Sequence, residues 1–203
     1  MMRATQGPAG VAPMTPVTYA LLIVNIAVYG LQMLLGDVML LRFALWPLQA
    51  GFEPWQILSC AFLHGGLMHL GTNMLGVWMF GRDVEGALGS SRFAQLYGAS
   101  VLTASLAQLA FASFFASEPV PTVGASGGLF GLLAAYAWLF PRRKVLLLIP
   151  PIPLPAPVFV CLYAAVELYS GVTGSFAGVA HFAHLGGLVG GLALIWSWRR
   201  KVR

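Results

Sequence analysis

Apolar residues run along this chain in long blocks separated by short polar clusters. The blocks cover about residues 17–35, 62–80, 93–116, 125–140, 145–169 and 178–198. A helix needs about 20 apolar residues to cross about 30 Å of hydrocarbon, so the pattern predicts six transmembrane helices. The fourth block is short for a full crossing, and its outer end is expected to start inside the membrane, covered by its neighbours. The fifth opens on Pro150, Pro151, Pro153, Pro155 and Pro157 and can be regular only from about Pro157 onward. The first is too long for a signal-peptide core, and no small-residue cleavage site follows it. Residues 36–61 mix apolar residues with Trp46, Pro47, Pro54 and Trp55. They read as an irregular loop with short helices in the membrane interface. Arg82, Asp83, Glu85 and Arg92 read as a polar turn, and no internal repeat is visible.

Composition sharpens this picture. Of 203 residues, 59% are hydrophobic and 8% charged, with mean hydropathy +0.82. Soluble domains carry about 25% charged residues. A soluble enzyme is excluded, and so is a disordered chain, which needs the opposite composition. The net charge of +5 does not point to nucleic acid, because ten of the 11 Lys and Arg fall on one side of a six-span topology. These are Arg3, Arg82, Arg92, Arg142, Arg143, Lys144, Arg199, Arg200, Lys201 and Arg203, with Arg42 alone opposite. That side is cytoplasmic by the positive-inside rule. Residues 1–16 are expected to be a flexible cytoplasmic tail and 17–203 the bundle, multi-pass in the cell (cytoplasmic) membrane. Cys60 and Cys161 lie in apolar stretches and read as packing residues.

Polar groups in hydrocarbon ask for an explanation. His64, His69, His181 and His184 all fall in apolar blocks. His69 and Asn73 are four apart and share a helix face, so both can donate hydrogen bonds from one wall. The alternative reading of such a pair is helix–helix glue. Ser126 sits in Gly124-Ala125-Ser126-Gly127-Gly128, where glycines leave a hydroxyl unobstructed. Gly127 and Gly131 offer a small-residue seam. His184, Gly187 and Gly191 lie at i, i+3 and i+7, so a helix packed through those glycines brings His184 to the same neighbour. If that neighbour is the Gly127/Gly131 face, His184 reaches Ser126. A serine–histidine pair is what nucleophilic catalysis needs. Glu167 is the only carboxylate between them and is expected in the interface, so a dyad is predicted rather than a triad. His181 reads as a supporting or water-facing group.

Together these motifs resemble the rhomboid family of intramembrane serine proteases, over about Thr18 to Trp198. The residues that carry the resemblance are His69-x-x-x-Asn73, Gly124-Ala125-Ser126-Gly127, Ala183-His184-x-Gly186-Gly187, and Pro54-Trp55-Gln56 ahead of Phe62-Leu63-His64-Gly65-Gly66. The resemblance implies an all-α, six-transmembrane-helix bundle with Ser126 as nucleophile and His184 as base. His69, Asn73 and the Ser126 amide would form the oxyanion hole, Phe130 would pack beside the imidazole, and Gly124, Gly127 and Gly187 would support the site. It also implies a water-filled cavity open to the outer side, gated by the fifth helix. One departure is Glu85-Gly86-Ala87, where many members carry Arg at the third position; this puts local stability in doubt, not the chemistry.

The sequence therefore predicts a serine endopeptidase cutting transmembrane segments of single-span or multi-span membrane proteins, without cofactor or metal. The alternative is a proteolytically inactive relative that binds such segments. A reading of the histidines as haem or metal ligands has less support, because neither close pair has ideal same-face spacing and no Cys or carboxylate completes a zinc set. The oligomeric state is left open.

Overall fold

The computed structural model describes residues 15–147, 151–175 and 178–199. The expected tail lies almost wholly outside the described residues, as do Arg200, Lys201 and Arg203. The chain is helical: α1 (Pro16–Leu35), α2 (Asp37–Phe43), α3 (Gln56–Ser59), α4 (Leu67–Leu88), α5 (Ser90–Phe114), α6 (Ser126–Leu139), α7 (Ala156–Thr173) and α8 (His181–Arg199). Among the described residues α1, α5 and α7 are long and apolar enough to cross a membrane by themselves. Helix α6 is apolar but shorter. Helices α4 and α8 dilute their apolar content with inward-facing polar residues and glycines.

Helix α6 is the hub. Its 14 residues span about 21 Å, and Gly127 to Tyr136 are buried apart from Leu129. It is wrapped by α4, α5, α7 and α8, and α5 packs along α8 in the most extensive pairing of the fold. Backbones meet where side chains are absent. A Cβ on Gly187 would stand 2.0 Å from the Gly127 carbonyl oxygen, and one on Gly191 would stand 2.6 Å from Gly131 Cα. The glycines spaced at i and i+4 on α8 therefore lie directly on those of α6.

The polar turn expected at residues 82–92 is not a loop. Helix α4 continues to Leu88, breaks at Gly89, whose φ is +77°, and α5 begins at once. Glu85 explains why the charge is tolerated inside the fold. It is 1% exposed and accepts hydrogen bonds from the Val17 and Thr18 amides at 3.0 and 2.8 Å. It also accepts from the Thr18 hydroxyl at 2.8 Å and the Ser90 hydroxyl at 2.7 Å. The carboxylate thus caps the first turn of α1, where unpaired amides favour an anion, and pins it to the α4–α5 corner. Ala87 is exposed and plays no part in this network. Arg143, after α6, pairs with Asp83 of α4.

The second block also starts later than its apolar pattern suggests. Residues Cys60–Phe62 form a short 3-10 turn, and α4 begins at Leu67 after His64-Gly65-Gly66. Within the preceding loop, buried Gln56 accepts from the Trp46 amide at 3.1 Å and the Glu53 amide at 3.2 Å. The proline segment after α6 forms a small antiparallel hairpin, β1 (Lys144–Leu146) with β2 (Pro153–Pro155), which no apolar pattern announces. Helix α7 follows, and its buried residues are Ala156, Val160, Glu167 and Ser170. Its outer face leaves Cys161 exposed, contrary to the packing role expected of it.

Candidate active site

Helices α4, α6 and α8 begin at the same end of the bundle. The end of α4, the start of α5 and the turn after α6, which carry Arg82, Arg92, Arg142, Arg143 and Lys144, lie at the other. Ser126 is the first residue of α6 and His184 lies in the first turn of α8. The glycine seam sets the distance between the two helices. Ser126 Oγ and His184 Nε2 are 2.8 Å apart. Phe130, one turn after Ser126, lies flat against the imidazole, with ring centroids 4.3 Å apart and planes 6° from parallel. Tyr163 of α7 packs on Phe130 at 5.0 Å.

The segment entering α6 is tied to the first loop. Leu45 and Thr122 exchange backbone hydrogen bonds at 2.9 Å, and the Gly124 amide donates to the Cys60 carbonyl at 2.9 Å. Gly124 has φ +133°, a conformation that side chains disfavour. A Cβ there would also stand 2.8 Å from His69 Nε2 and 3.5 Å from Ser126 Oγ. His69 Nδ1 accepts from the Gly65 amide at 3.2 Å, which leaves the ring proton on Nε2, on the side facing Gly124 and Ser126. Buried Asn73 donates through Nδ2 to the His69 carbonyl at 2.9 Å, a bond within its own helix rather than across to another. The Ser126 amide, first in its helix, has no intrahelical carbonyl to satisfy it.

His64 stands edge-on to His69, with centroids 5.1 Å apart. It lies in the loop before α4 rather than in a span, fully buried, and its ring nitrogens have no hydrogen-bond partner among the described residues. Gln32 fixes its backbone, donating to the His64 carbonyl at 2.7 Å and accepting from the His64 amide at 3.0 Å.

Glu167 departs from expectation. It is buried in the bundle, 5% exposed and one of the inward-facing residues of α7. Its Oε2 lies 2.6 Å from His181 Nδ1 and 3.0 Å from His184 Nδ1. The second contact is close but off the hydrogen-bonding axis, so His184 Nδ1 makes no well-aligned bond. His181 is buried as well, not water-facing, and its Nε2 lies 3.0 Å from the Ser175 carbonyl oxygen. The signal for Glu167 was present in the sequence. Val160 and Glu167 are seven apart and Ser170 follows at three, which puts the carboxylate on the face that α7 packs inward.

Comparison with known proteins agrees with the fold. A family model described as "Rhomboid domain" matches residues 51–201. The chain is 35% identical over 187 residues to "Rhomboid protein 1, mitochondrial" of Saccharomyces cerevisiae, covering 91% of this chain and 54% of that protein. It is 32% identical over 182 residues to "Rhomboid protease GlpG" of Klebsiella pneumoniae subsp. pneumoniae, covering 88% and 62% respectively. It is 31% identical over 140 residues to "Rhomboid protease GluP" of Bacillus subtilis, covering 68% and 25%. The chain thus spans less than two thirds of the length of these relatives. The matched segment contains His69, Asn73, Gly124, Ser126, Phe130, Glu167, His181 and His184, and this membrane protein belongs to the rhomboid family.

Proposed function

We propose that the chain is an intramembrane serine endopeptidase that cleaves transmembrane segments of other membrane proteins near their outer ends. The observation that carries this is the 2.8 Å approach of Ser126 Oγ to His184 Nε2, with the imidazole braced by Phe130. Ser126 is the nucleophile. His184 takes its proton as Oγ attacks the scissile carbonyl and returns it to the leaving amine. In this reading the oxyanion that forms is met by His69 Nε2–H, the Asn73 side-chain amide and the Ser126 N–H; the His69 ring against Gly124, just ahead of α6, supports it. Donors of this kind act mainly on the transition state.

We read α1, α4, α5, α6, α7 and α8 as six crossings, with both termini cytoplasmic and the site opening to the outer side. The clustering of basic residues at the end away from Ser126 supports this orientation. Substrate must arrive unwound, because a helix hides its carbonyls in internal hydrogen bonds. It enters past α7, whose outer face carries exposed Leu162, Val166, Tyr169 and Val172. No metal or cofactor takes part in this scheme.

The test is cleavage of a labelled single-span substrate in liposomes by the wild-type chain and by Ser126→Ala. Wild-type cleavage lost in a well-folded Ser126→Ala protein is the expected result. Cleavage retained by Ser126→Ala would remove the serine mechanism. A folded wild-type chain that binds such segments without cutting them would favour the inactive, binding reading.

A further inference from the structure

Glu167 is the only charged residue of α7, and it faces the bundle rather than water or the lipid side. A buried carboxylate is costly unless it is paired, so its surroundings carry information. The hydrogen-bond partners fix most of the protons. The Ser175 carbonyl only accepts, so His181 carries a proton on Nε2. If Ser126 donates to His184 Nε2, the proton of a neutral His184 is on Nδ1, which lies 3.0 Å from Glu167 Oε2. On its other side Glu167 Oε2 lies 2.6 Å from His181 Nδ1.

We infer that Glu167 is a positioning residue for His184, extending the serine–histidine pair to a third member, and that His181 clamps Glu167 in place. The inference rests on the reading of Ser126 and His184 as nucleophile and base. When Ser126 Oγ attacks the carbonyl carbon, the Oγ proton moves to His184 Nε2. The imidazolium so formed points its Nδ1–H at Glu167 Oε2, and the negative oxygen stabilises it. When the carbon–nitrogen bond breaks, the Nε2 proton goes to the leaving nitrogen. Glu167 takes up no proton in either step; it holds the tautomer and meets the charge. The off-axis contact in the substrate-free chain is consistent with this role, since catalytic hydrogen bonds often align only when substrate is bound. A purely structural role is the competing account. The carboxylate would then only tie α7 to α8 through His181.

Glu167→Gln separates the two accounts. Glutamine keeps the shape, but an NH2 group facing Nδ1 favours the tautomer protonated on Nε2, which cannot accept the serine proton. The full chain is assayed in liposomes for kcat and KM, and for the rate at which a fluorophosphonate labels Ser126. A fall in kcat of at least about 100-fold is expected, with KM within about twofold and labelling slowed to match. Melting temperature per se does not decide the matter, because rates are counted per folded molecule. A folded Glu167→Gln chain that cuts and labels within about threefold of wild type overturns the inference. If Glu167→Gln does not fold, 15N NMR of histidine-labelled wild-type protein decides instead. A neutral His184 protonated on Nδ1 supports the inference, and one protonated on Nε2 overturns it. The parent reading is judged separately, by whether wild-type Ser126 is labelled at all.

Discussion

Helix α8 has two flanks, and they are held by different physics. Toward α6 it is held backbone on backbone, with Gly187 and Gly191 seated on Gly127 and Gly131. No side-chain rotamer intervenes, so the separation of Ser126 from His184 is fixed by main-chain contact. Toward α7 it is held by a polar tie, Glu167 to His181, and by Gly171 against His181 and Phe182. Most of α7 faces outward, with Tyr169 at 67% and Val172 at 72% exposure. Ser126 and His184 meet on the backbone-packed flank, and Glu167 stands on the other. In the proposed scheme, α7 can shift to admit a substrate segment without altering the Ser126–His184 spacing.

Breaking the rigid flank should have the largest effect. In Gly187→Ala the new Cβ would stand 2.0 Å from the Gly127 carbonyl oxygen, with backbone on both sides and no side chain able to give way. Helix α8 must move outward by about 1 Å or more, a shift that can itself cost about 10²-fold in rate. Overpacking adds a stability loss of about 1–3 kcal/mol. Cleavage is expected to be lost and thermal unfolding to occur at lower temperature. A Gly187→Ala chain with wild-type rate and melting temperature would show that the seam does not set the site.

Next in size is a donor on a helix that belongs to neither flank. Asn73→Ala removes one candidate oxyanion donor and is expected to lower kcat and kcat/KM together, on the order of 10²–10³-fold. Melting temperature should change little, because the Asn73 amide donates to its own helix, at the His69 carbonyl. If Asn73 were glue between helices, the pattern would invert: a lowered melting temperature with a near-normal rate per folded molecule.

The two flanks were not equally legible in the sequence. The rigid one is written in glycines at helical spacing, and the i, i+3, i+7 relation of His184, Gly187 and Gly191 points to the seam on which α6 and α8 meet. The polar one was misread. Glu167 looked interfacial because it lies near the end of an apolar block, yet the helical face shared by Val160, Glu167 and Ser170 turns it inward. Block ends were also misjudged where charge sits inside a helix. Arg82, Asp83 and Glu85 suggested a turn, whereas Glu85 is satisfied by the Val17, Thr18 and Ser90 donors contributed by other helices. No pattern confined to one block can reveal a partner 67 residues away. The proline hairpin escaped for the opposite reason: prolines forbid a helix but do not say what replaces it.

Loosening the polar flank should cost less than breaking the rigid one. His181→Ala removes the clamp on Glu167 but leaves Ser126, His184 and the glycine seam unchanged. The expected loss in kcat is about tenfold, milder than that of His184→Ala, because the carboxylate remains nearby but is less well held. Equal losses in the two variants, measured on folded protein, would mean that His181 does more than clamp Glu167, and a His184→Ala chain that still cuts would mean that His184 is not the base.

The smallest effect is expected from the mirror of the first experiment. Gly171→Ala places a methyl on the α7–α8 interface, just as Gly187→Ala places one on the α6–α8 interface. The new Cβ would meet His181 Cβ and Phe182 Cε2 at 3.1 Å, tight but not impossible. Its neighbours here are side chains, and α7 has exposed surface behind it, so a few tenths of an ångström can be absorbed. Alanine also favours a helix interior over glycine by about 0.8–1.0 kcal/mol, which offsets the squeeze. Melting temperature is therefore expected to stay within about 2 °C of wild type, since about 1 kcal/mol corresponds to a few degrees in a chain of this size. The rate of cleavage should stay within about threefold, because the Ser126–His184 spacing is untouched. Paired thermal melts and rate measurements on the two alanine variants give the contrast directly. A Gly171→Ala chain as damaged as Gly187→Ala would mean that α7 is clamped as firmly as α6, and the division of α8 into a fixed and a yielding flank would fall.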